Sequence, residues 1–408
     1  MDDGLWDLAV VGAGPAGTAA ALAARIARPD ARVLLLDSAR FPRDKACGDG
    51  VAPQAGDVWR RLGVEGVADG HGGVRRLVLT ATDGSAADRM MARPANVVPR
   101  AVLDARLVDA AVAAGATLAR HTVKVLRTRA DRVDIDDVAS ARVVVGADGA
   151  NGVTRRSAGA PSAPDGHVAL AIRGYAPDAW ATDEPEPAQR IWMDQSGWPA
   201  YAWSFPLLDG TNRANVGYGV LLRGARVPSR AQLLERLAAF VPGAGDAAHL
   251  RAHHLPLASS RPRQPPGRLL LAGDAASLVN PFTGEGIFYA ALSGALAGRA
   301  AVSADDPGRT YATSLRRALG GHHRDVRLVA ALGRSPLLVD AGIRAGARRP
   351  EVFDDLVEMG LADGRLTPRV LLGTAGALAS RRRAPTRSTA VAARGRSQRS
   401  RRGYGART

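Results

Sequence analysis

Asp7-Leu8-Ala9-Val10-Val11-Gly12-Ala13-Gly14-Pro15-Ala16-Gly17, then an alanine-rich run, then Val33-Leu34-Leu35-Leu36-Asp37, form one legible unit. An apolar run leads into Gly-x-Gly-x-x-Gly, a helix follows, and a second apolar run ends on an acid. That order is a βαβ unit with a dinucleotide fingerprint. Gly12 permits the tight turn, and Gly14, with Ala16 close by, lets the backbone approach a pyrophosphate. Gly17 lets the helix pack on its strand. Pro15 suits the first helical turn, where its missing N–H costs nothing. The free N–H groups and the helix dipole then face the diphosphate. Asp37, with Ser38 after it, is placed to accept from a ribose hydroxyl.

Outward from this unit, Ser38 to Pro53 reads as a loop from its Gly, Pro and charged residues, and it carries Lys45-Ala46-Cys47-Gly48-Asp49-Gly50. Val74 to Thr80 alternates like a strand, and Met90 to Val98 is expected to pair with it. Arg100 opens a helix with an apolar stripe at Val102, Leu103, Leu107, Val108 and Ala111. Short strands are expected around Thr122–Leu126 and Arg132–Ile135. Ala141 to Gly149 reads as a buried strand ending in a turn. From His167 to about His254 the texture changes to strand-like pieces rich in Trp and Tyr, followed by a helix over Arg230–Phe240. Arg268 to Ala276 returns to a buried strand, and the chain beyond Ile287 is mostly helical, with Pro350 and Pro368 as breakers.

The fold class expected is therefore α/β. A discontinuous Rossmann-like domain (1–73, 97–160 and 263–330) carries an inserted antiparallel-sheet domain (74–96 and 161–262). A helical region (331–379) and an Arg-rich, disordered tail (380–408) follow.

The chain has 408 residues, enough for two or three domains with a proper core, and its 46% hydrophobic and 23% charged content is ordinary for a soluble globular protein. The acidic start and the glycines that interrupt the first apolar run argue against a signal peptide. No apolar run reaches the roughly 18 residues of a membrane span. Cys47 is the single cysteine, so no disulfide forms within the chain and a reducing cytoplasm fits. The net charge of +16 is nearly all arginine, and ten arginines with no acid lie between Arg381 and Thr408. The folded part shows no nucleic-acid-binding module, so no nucleic-acid partner is expected.

Two further features sit at the carboxyl ends of expected strands, where open α/β sheets bind ligands: Asp148-Gly149 and Gly273-Asp274. Either alone reads as an ordinary Asx turn. Behind a Gly-x-Gly-x-x-Gly unit they become specific. The second continues to Gly284-Glu285-Gly286-Ile287, which leaves an open backbone at a helix start, with N–H groups facing an electron-rich ring.

With these motifs the chain resembles the flavin-dependent para-hydroxybenzoate hydroxylase-like superfamily over roughly residues 5 to 330. The resemblance implies FAD, with Gly12, Gly14, Gly17 and Asp37 on its ADP half. It also implies Asp148-Gly149 near the pyrophosphate, Asp274 on the ribityl chain, and Arg100 reaching the cofactor. Within the superfamily the chain is most similar to the geranylgeranyl reductase family, which includes actinobacterial menaquinone reductases. Lys45-Ala46-Cys47-Gly48-Asp49-Gly50 looks like that family's Cys-Gly loop. Tyr201-Ala202-Trp203-Ser204-Phe205-Pro206, with Asn215-Val216-Gly217, looks like its Tyr-x-Trp-x-Phe-Pro and Asn-Val-Gly signature. Flavin halogenases carry Trp-x-Trp-x-Ile-Pro there, so Tyr201 and Phe205 favour the reductase.

The family reduces isolated C=C bonds of isoprenoid chains. Such an alkene lacks an activating carbonyl, so hydride delivery calls for a proton donor, a dry pocket and aromatic faces that stabilise positive charge. Tyr201, Trp203 and Phe205 alternate on one strand and so share a face. They and Trp192 are the expected substrate contacts, with Tyr201, Trp203 and Cys47 as catalytic candidates; no metal ligand is assigned. The expected substrate is a polyprenyl lipid: a menaquinone side chain or a geranylgeranyl group. Electrons would come from NAD(P)H or a donor protein such as ferredoxin. The arginine tail would hold the enzyme at an anionic membrane on its cytoplasmic face, each arginine contributing about 1 kcal/mol. The alternatives are a flavin monooxygenase or halogenase on the same scaffold, or a non-redox prenyl carrier.

Overall fold

A computed structural model describes residues 4–224, 227–260 and 263–383. Trp6–Val11 lies inside the first sheet, parallel to Val33–Asp37 on one side and to Ala139–Gly146 on the other. Thr117–Arg120 extends the first flank and Leu269–Leu271 the second, both parallel to their neighbours. The hairpin of Leu126–Thr128 and Val133–Ile135 runs antiparallel along the start of Ala139–Gly146. These strands are near-continuous Val, Leu and Ala because both faces are covered. Parallel pairing brings Gly12, Asp37, Asp148 and Asp274 to one edge of the sheet.

The alanine-rich helix Pro15–Ala27 is buried against Ile287–Ser303. Their backbones approach so closely that a Cβ on Gly294 would lie 2.0 Å from the Ala16 carbonyl oxygen. This contact aims the amino end of the second helix at the same edge.

The second sheet has eight strands, in the order Ala248–Pro256, Val168–Pro177, Arg213–Leu221, Ala200–Pro206, Ala188–Met193, Gly73–Thr80, Ala86–Val97 and Gly50–Val51. Pairing is antiparallel except where Ala188–Met193 runs parallel to Gly73–Thr80. Ala248–Pro256 has no β-branched residue and is largely exposed, so its sequence carries no strand signal. Helix Arg230–Phe240, closed by a Ser229–Gln232 capping box, packs Leu233 and Leu237 against Ile172, Val216 and Tyr218 on one face.

The C-terminal helices Pro336–Arg348, Pro350–Leu361 and Pro368–Arg383 each start on a proline, so Pro350 and Pro368 begin helices as well as ending them. Ile343 and Phe353 pack with Leu77, Ala87 and Met91 of the sheet. Buried Asp340 ties the first of these helices down by accepting from Thr82 N and Oγ1 at 2.8 and 2.7 Å. The last helix runs to Arg383, so residues 380–383 are helical, contrary to the disorder expected from Ser380 onward. Residues 384–408, on which the rest of that expectation falls, lie outside the described residues. Among the described residues no helix is long and apolar enough to cross a membrane.

Candidate functional site

One cavity of about 880 Å³ runs along the carboxyl edge of the first sheet and continues between the second sheet and the C-terminal helices. The residues expected at the site line it, with three exceptions. Gly17 and Gly273 stand behind it. A Cβ on Gly17 would meet the Gly12 carbonyl oxygen at 1.7 Å, and one on Gly273 would crowd Ala16 and Ala290 at 3.2 and 3.3 Å. At both positions the absence of a side chain permits close packing behind the cavity wall. The third exception corrects an expectation: Trp192 is on the wrong face of its strand for a substrate contact. It stacks on Trp180 at 5.5 Å on the side of helix Arg230–Phe240, while Gln189, Ile191 and Met193 face the cavity. Alternation along a strand makes this a one-residue matter.

The dinucleotide end is a cradle that a side chain would fill. Gly12 has φ +102°, and a Cβ there would lie 2.3 Å from the Ala147 carbonyl oxygen. No side chain caps helix Pro15–Ala27 and no acid sits in its first turn, so its N–H groups are left to a ligand. The Asp37 carboxylate accepts from Ala13 N and Ala39 N, both at 2.8 Å, which locks it beside the glycine turn. Buried Arg100 holds Asp104 by two hydrogen bonds of 2.8 Å, and Arg43, which sequence reading missed, shares Asp104 at 2.9 Å. Both guanidinium groups lie within 3.5 Å of where a Cβ on Gly14 would stand. This is a paired cationic wall facing the helix start, suited to a diphosphate.

The Asp148 carboxylate caps the short helix Val153–Ser157, accepting from Thr154 N at 2.9 Å and from Thr154 Oγ1. What it offers a ligand is the backbone of the Asp148-Gly149 turn. Lys45 Nζ lies between this turn and Asp274, 3.8 Å from the Asp274 carboxylate, and burial pushes its ammonium pKa down. His253 Nε2 stands 3.7 Å from Asp274, buried and without a hydrogen-bond partner. Burial works against the Asp274 carboxylate, yet His253, Lys45 and Arg100 outweigh it and hold its pKa at about 2. The glycine cradle, the cationic wall, Asp274 and the orphaned His253 nitrogen fit a flavin dinucleotide along this edge.

The loop from Asp44 to Gly50 is pinned to the second sheet by Arg173, which donates to Asp44 and to the Lys45 carbonyl at 2.9 Å, and by Arg251, 2.8 Å from Asp44. Its Cys47 thiol faces the cavity. Burial pushes the thiol up to about 11 against the pull of Arg100, with Asp49 and Glu285 adding to the rise. Cys47 therefore keeps its proton at neutral pH and is no ready nucleophile.

Tyr201, Trp203 and Phe205 form a ladder with ring centroids 5.8 and 6.3 Å apart, facing the cavity, while Ala200 and Ala202 turn to the other face. Trp203 lies over Gly217, where a Cβ would come within 2.1 Å of its ring. Its Nε1 donates to Asn215 Oδ1 at 2.9 Å, and Asn215 Nδ2 donates to the Cys47 carbonyl and to Asp49. The Asn-Val-Gly stretch thus joins the aromatic ladder to the cysteine loop. Tyr201 donates to the Thr283 carbonyl at 2.5 Å, which ties the ladder to the turn before helix Ile287–Ser303.

Two acids here escaped the sequence reading, though each sits conspicuously between glycines. Asp49, in the left-handed region, accepts from Tyr175 and Asn215, and burial pushes it up to about 6. Glu285 lines the cavity and accepts from Phe288 N at 2.9 Å. Burial pushes it up to about 7 against the N–H groups of Phe288 and Ile287, with Asp274 reinforcing the rise.

The FAD binding domain family matches residues 6–292. A menaquinone reductase of Mycolicibacterium smegmatis is 35% identical, across 71% of this chain and 75% of its own length. The chain belongs to the geranylgeranyl reductase family. A digeranylgeranylglycerophospholipid reductase 1 of Methanopyrus kandleri is 33% identical, across 76% of this chain and 84% of its own. Among solved structures, a geranylgeranyl bacteriochlorophyll reductase-like protein of Thermoplasma acidophilum superposes with a TM-score of 0.72. It covers 92% of this chain and 96% of its own at 18% identity, a likeness of fold alone. As a member of the geranylgeranyl reductase family, the chain is an FAD-dependent oxidoreductase.

Proposed function

We propose that this enzyme saturates C=C bonds of a polyprenyl chain, a menaquinone side chain or a geranylgeranyl group, with reducing equivalents that reach FAD from NAD(P)H or a ferredoxin. One observation carries the reading: the cavity does not end at the cofactor cradle. Beyond Tyr201, Trp203 and Phe205 it continues as a slot lined by Leu77, Ile191, Val339, Ile343, Leu356 and Val370, among others, between the second sheet and the C-terminal helices. Such a slot accepts a long apolar chain threaded end-on and excludes water around the reacting bond.

FAD, when bound and reduced, supplies hydride. This chain's residues do the rest. The aromatic ladder presents π faces to the positive charge that develops as an alkene is protonated. Tyr201, Trp203 and Asn215 hold those faces in place through the hydrogen bonds described above. Glu285 holds a proton near neutral pH at the cofactor end of the slot, and the neutral Cys47 thiol stands across the same cavity.

The test is an anaerobic reaction of the reduced holoenzyme with a polyprenyl menaquinone and, separately, with geranylgeranyl diphosphate, followed by mass spectrometry. The expected product is heavier by two hydrogens for each bond reduced. Substrate-coupled oxygen uptake with an unreduced chain would instead identify a monooxygenase. Tight binding without turnover would identify a carrier.

A further inference from the structure

The slot has a second end. Leu332 and Leu371 line it and are still 43% and 49% exposed, so it opens to solvent between the end of helix Pro307–Leu332 and the start of helix Pro368–Arg383. Beside these lining residues along the chain are Leu328, one helical turn before Leu332, Leu337, next to the lining Leu338, and Leu372, next to Leu371, all exposed. Among the described residues every strongly exposed leucine except Leu118 belongs to this group. Scattered surface leucines are ordinary, whereas a cluster on the rim of an apolar opening marks an interaction site.

The rim also has polar equipment. Trp198 donates its indole N–H to the Arg334 carbonyl at 3.0 Å, which sets an amphipathic ring beside the turn between Leu332 and Leu337. Arg324, Arg334 and Arg369 are exposed on the same three elements. Helix Pro368–Arg383 contains no acid, and in the sequence it leads into the stretch with ten arginines. Leucines for an acyl layer, a tryptophan for the boundary and arginines for phosphate headgroups together match the layers of a bilayer surface.

We propose that the rim formed by Leu328, Leu332, Leu337, Leu371 and Leu372, with Trp198 at its edge, seats on an anionic phospholipid bilayer with the mouth of the slot against the acyl layer. A polyprenyl chain then passes from the bilayer into the slot without crossing water. Positive charge on the surrounding elements selects an anionic surface over a neutral one. The inference rests on the polyprenyl reading for its purpose, but its test does not.

The test is co-sedimentation of the FAD-loaded protein with vesicles of phosphatidylcholine containing phosphatidylglycerol, compared with phosphatidylcholine alone. The variant carries Leu328→Gln, Leu337→Gln and Leu372→Gln, three side chains outside the slot. Its FAD content and circular dichroism confirm that it is folded. The wild type is expected to partition onto the anionic vesicles, and the variant's partition coefficient to fall by about tenfold or more. Turnover on a short, water-soluble prenyl substrate is expected to be unchanged in the variant, while turnover on a vesicle-borne one falls. Equal partitioning of variant and wild type overturns the seat, as does a wild type that stays in solution. So does a wild type that forms a dimer which the variant dissociates, because the rim then faces a second copy. If the variant loses vesicle binding while neither protein reduces a prenyl chain, the seat stands and the polyprenyl reading falls.

Discussion

Replacing Glu285 with Gln isolates the proton that the site stores. In the unfolded chain a glutamate titrates at its ordinary 4.5, and in the folded protein burial lifts Glu285 to about 7. Below the lower value both states are protonated and the group contributes nothing. Between the two values the unfolded state has released a proton that the folded state retains, so stability falls as pH rises, and above about 7 the loss is complete. The full displacement is worth at most about 3 kcal/mol. Gln keeps the side-chain oxygen that accepts from Phe288 N but cannot ionise. Near pH 5 the two proteins are therefore expected to differ little, and by about pH 8 the variant should be the more stable by about 1 to 3 kcal/mol. Asp49, also lifted by burial, titrates in both proteins and drops out of the difference. Urea unfolding of the cofactor-free proteins across this range measures it. A stability difference that stays constant with pH would refute a proton held on Glu285. If Glu285 also delivers that proton, turnover of the variant falls by about a hundredfold with FAD still bound.

Gly14→Ala and Gly17→Ala should fail in different ways. The first places a methyl in the open cradle, so the apoprotein melts normally but FAD affinity drops. The second drives a methyl against the Gly12 carbonyl at 1.7 Å, so the fold itself is destabilised, as thermal melting with and without FAD would show. Cys47→Ala is expected to keep FAD and lose most turnover, and near-normal steady-state rates would remove Cys47 from the mechanism. Asn215→Leu leaves the Trp203 indole, the Cys47 carbonyl and buried Asp49 each short of a partner, at a cost of about 1 to 3 kcal/mol per group left unsatisfied. Urea unfolding of Asn215→Leu beside the wild type measures the loss, and an unchanged midpoint would show that these hydrogen bonds contribute nothing to stability.

Much of this molecule is legible along the chain because its signals are local. Strand, glycine turn, helix and acid between Asp7 and Asp37 occur in order, and each is dictated by near neighbours. The Tyr201–Phe205 ladder follows from strand alternation alone. The same alternation shows where local reading stops. Trp192 and Ile191 are adjacent, and only the pairing of their strand with Gly73–Thr80 and Ala200–Pro206 decides which of them reaches the cavity. The charge states of Asp49, Glu285 and Cys47 are likewise invisible in sequence, since burial between two sheets and a helix start creates them. The course of the slot depends on C-terminal helices docked onto strands more than two hundred residues earlier, as Asp340 docks on Thr82. Local periodicity and turn chemistry name the parts, but desolvation and long-range packing assign each part its face, its proton and its neighbour.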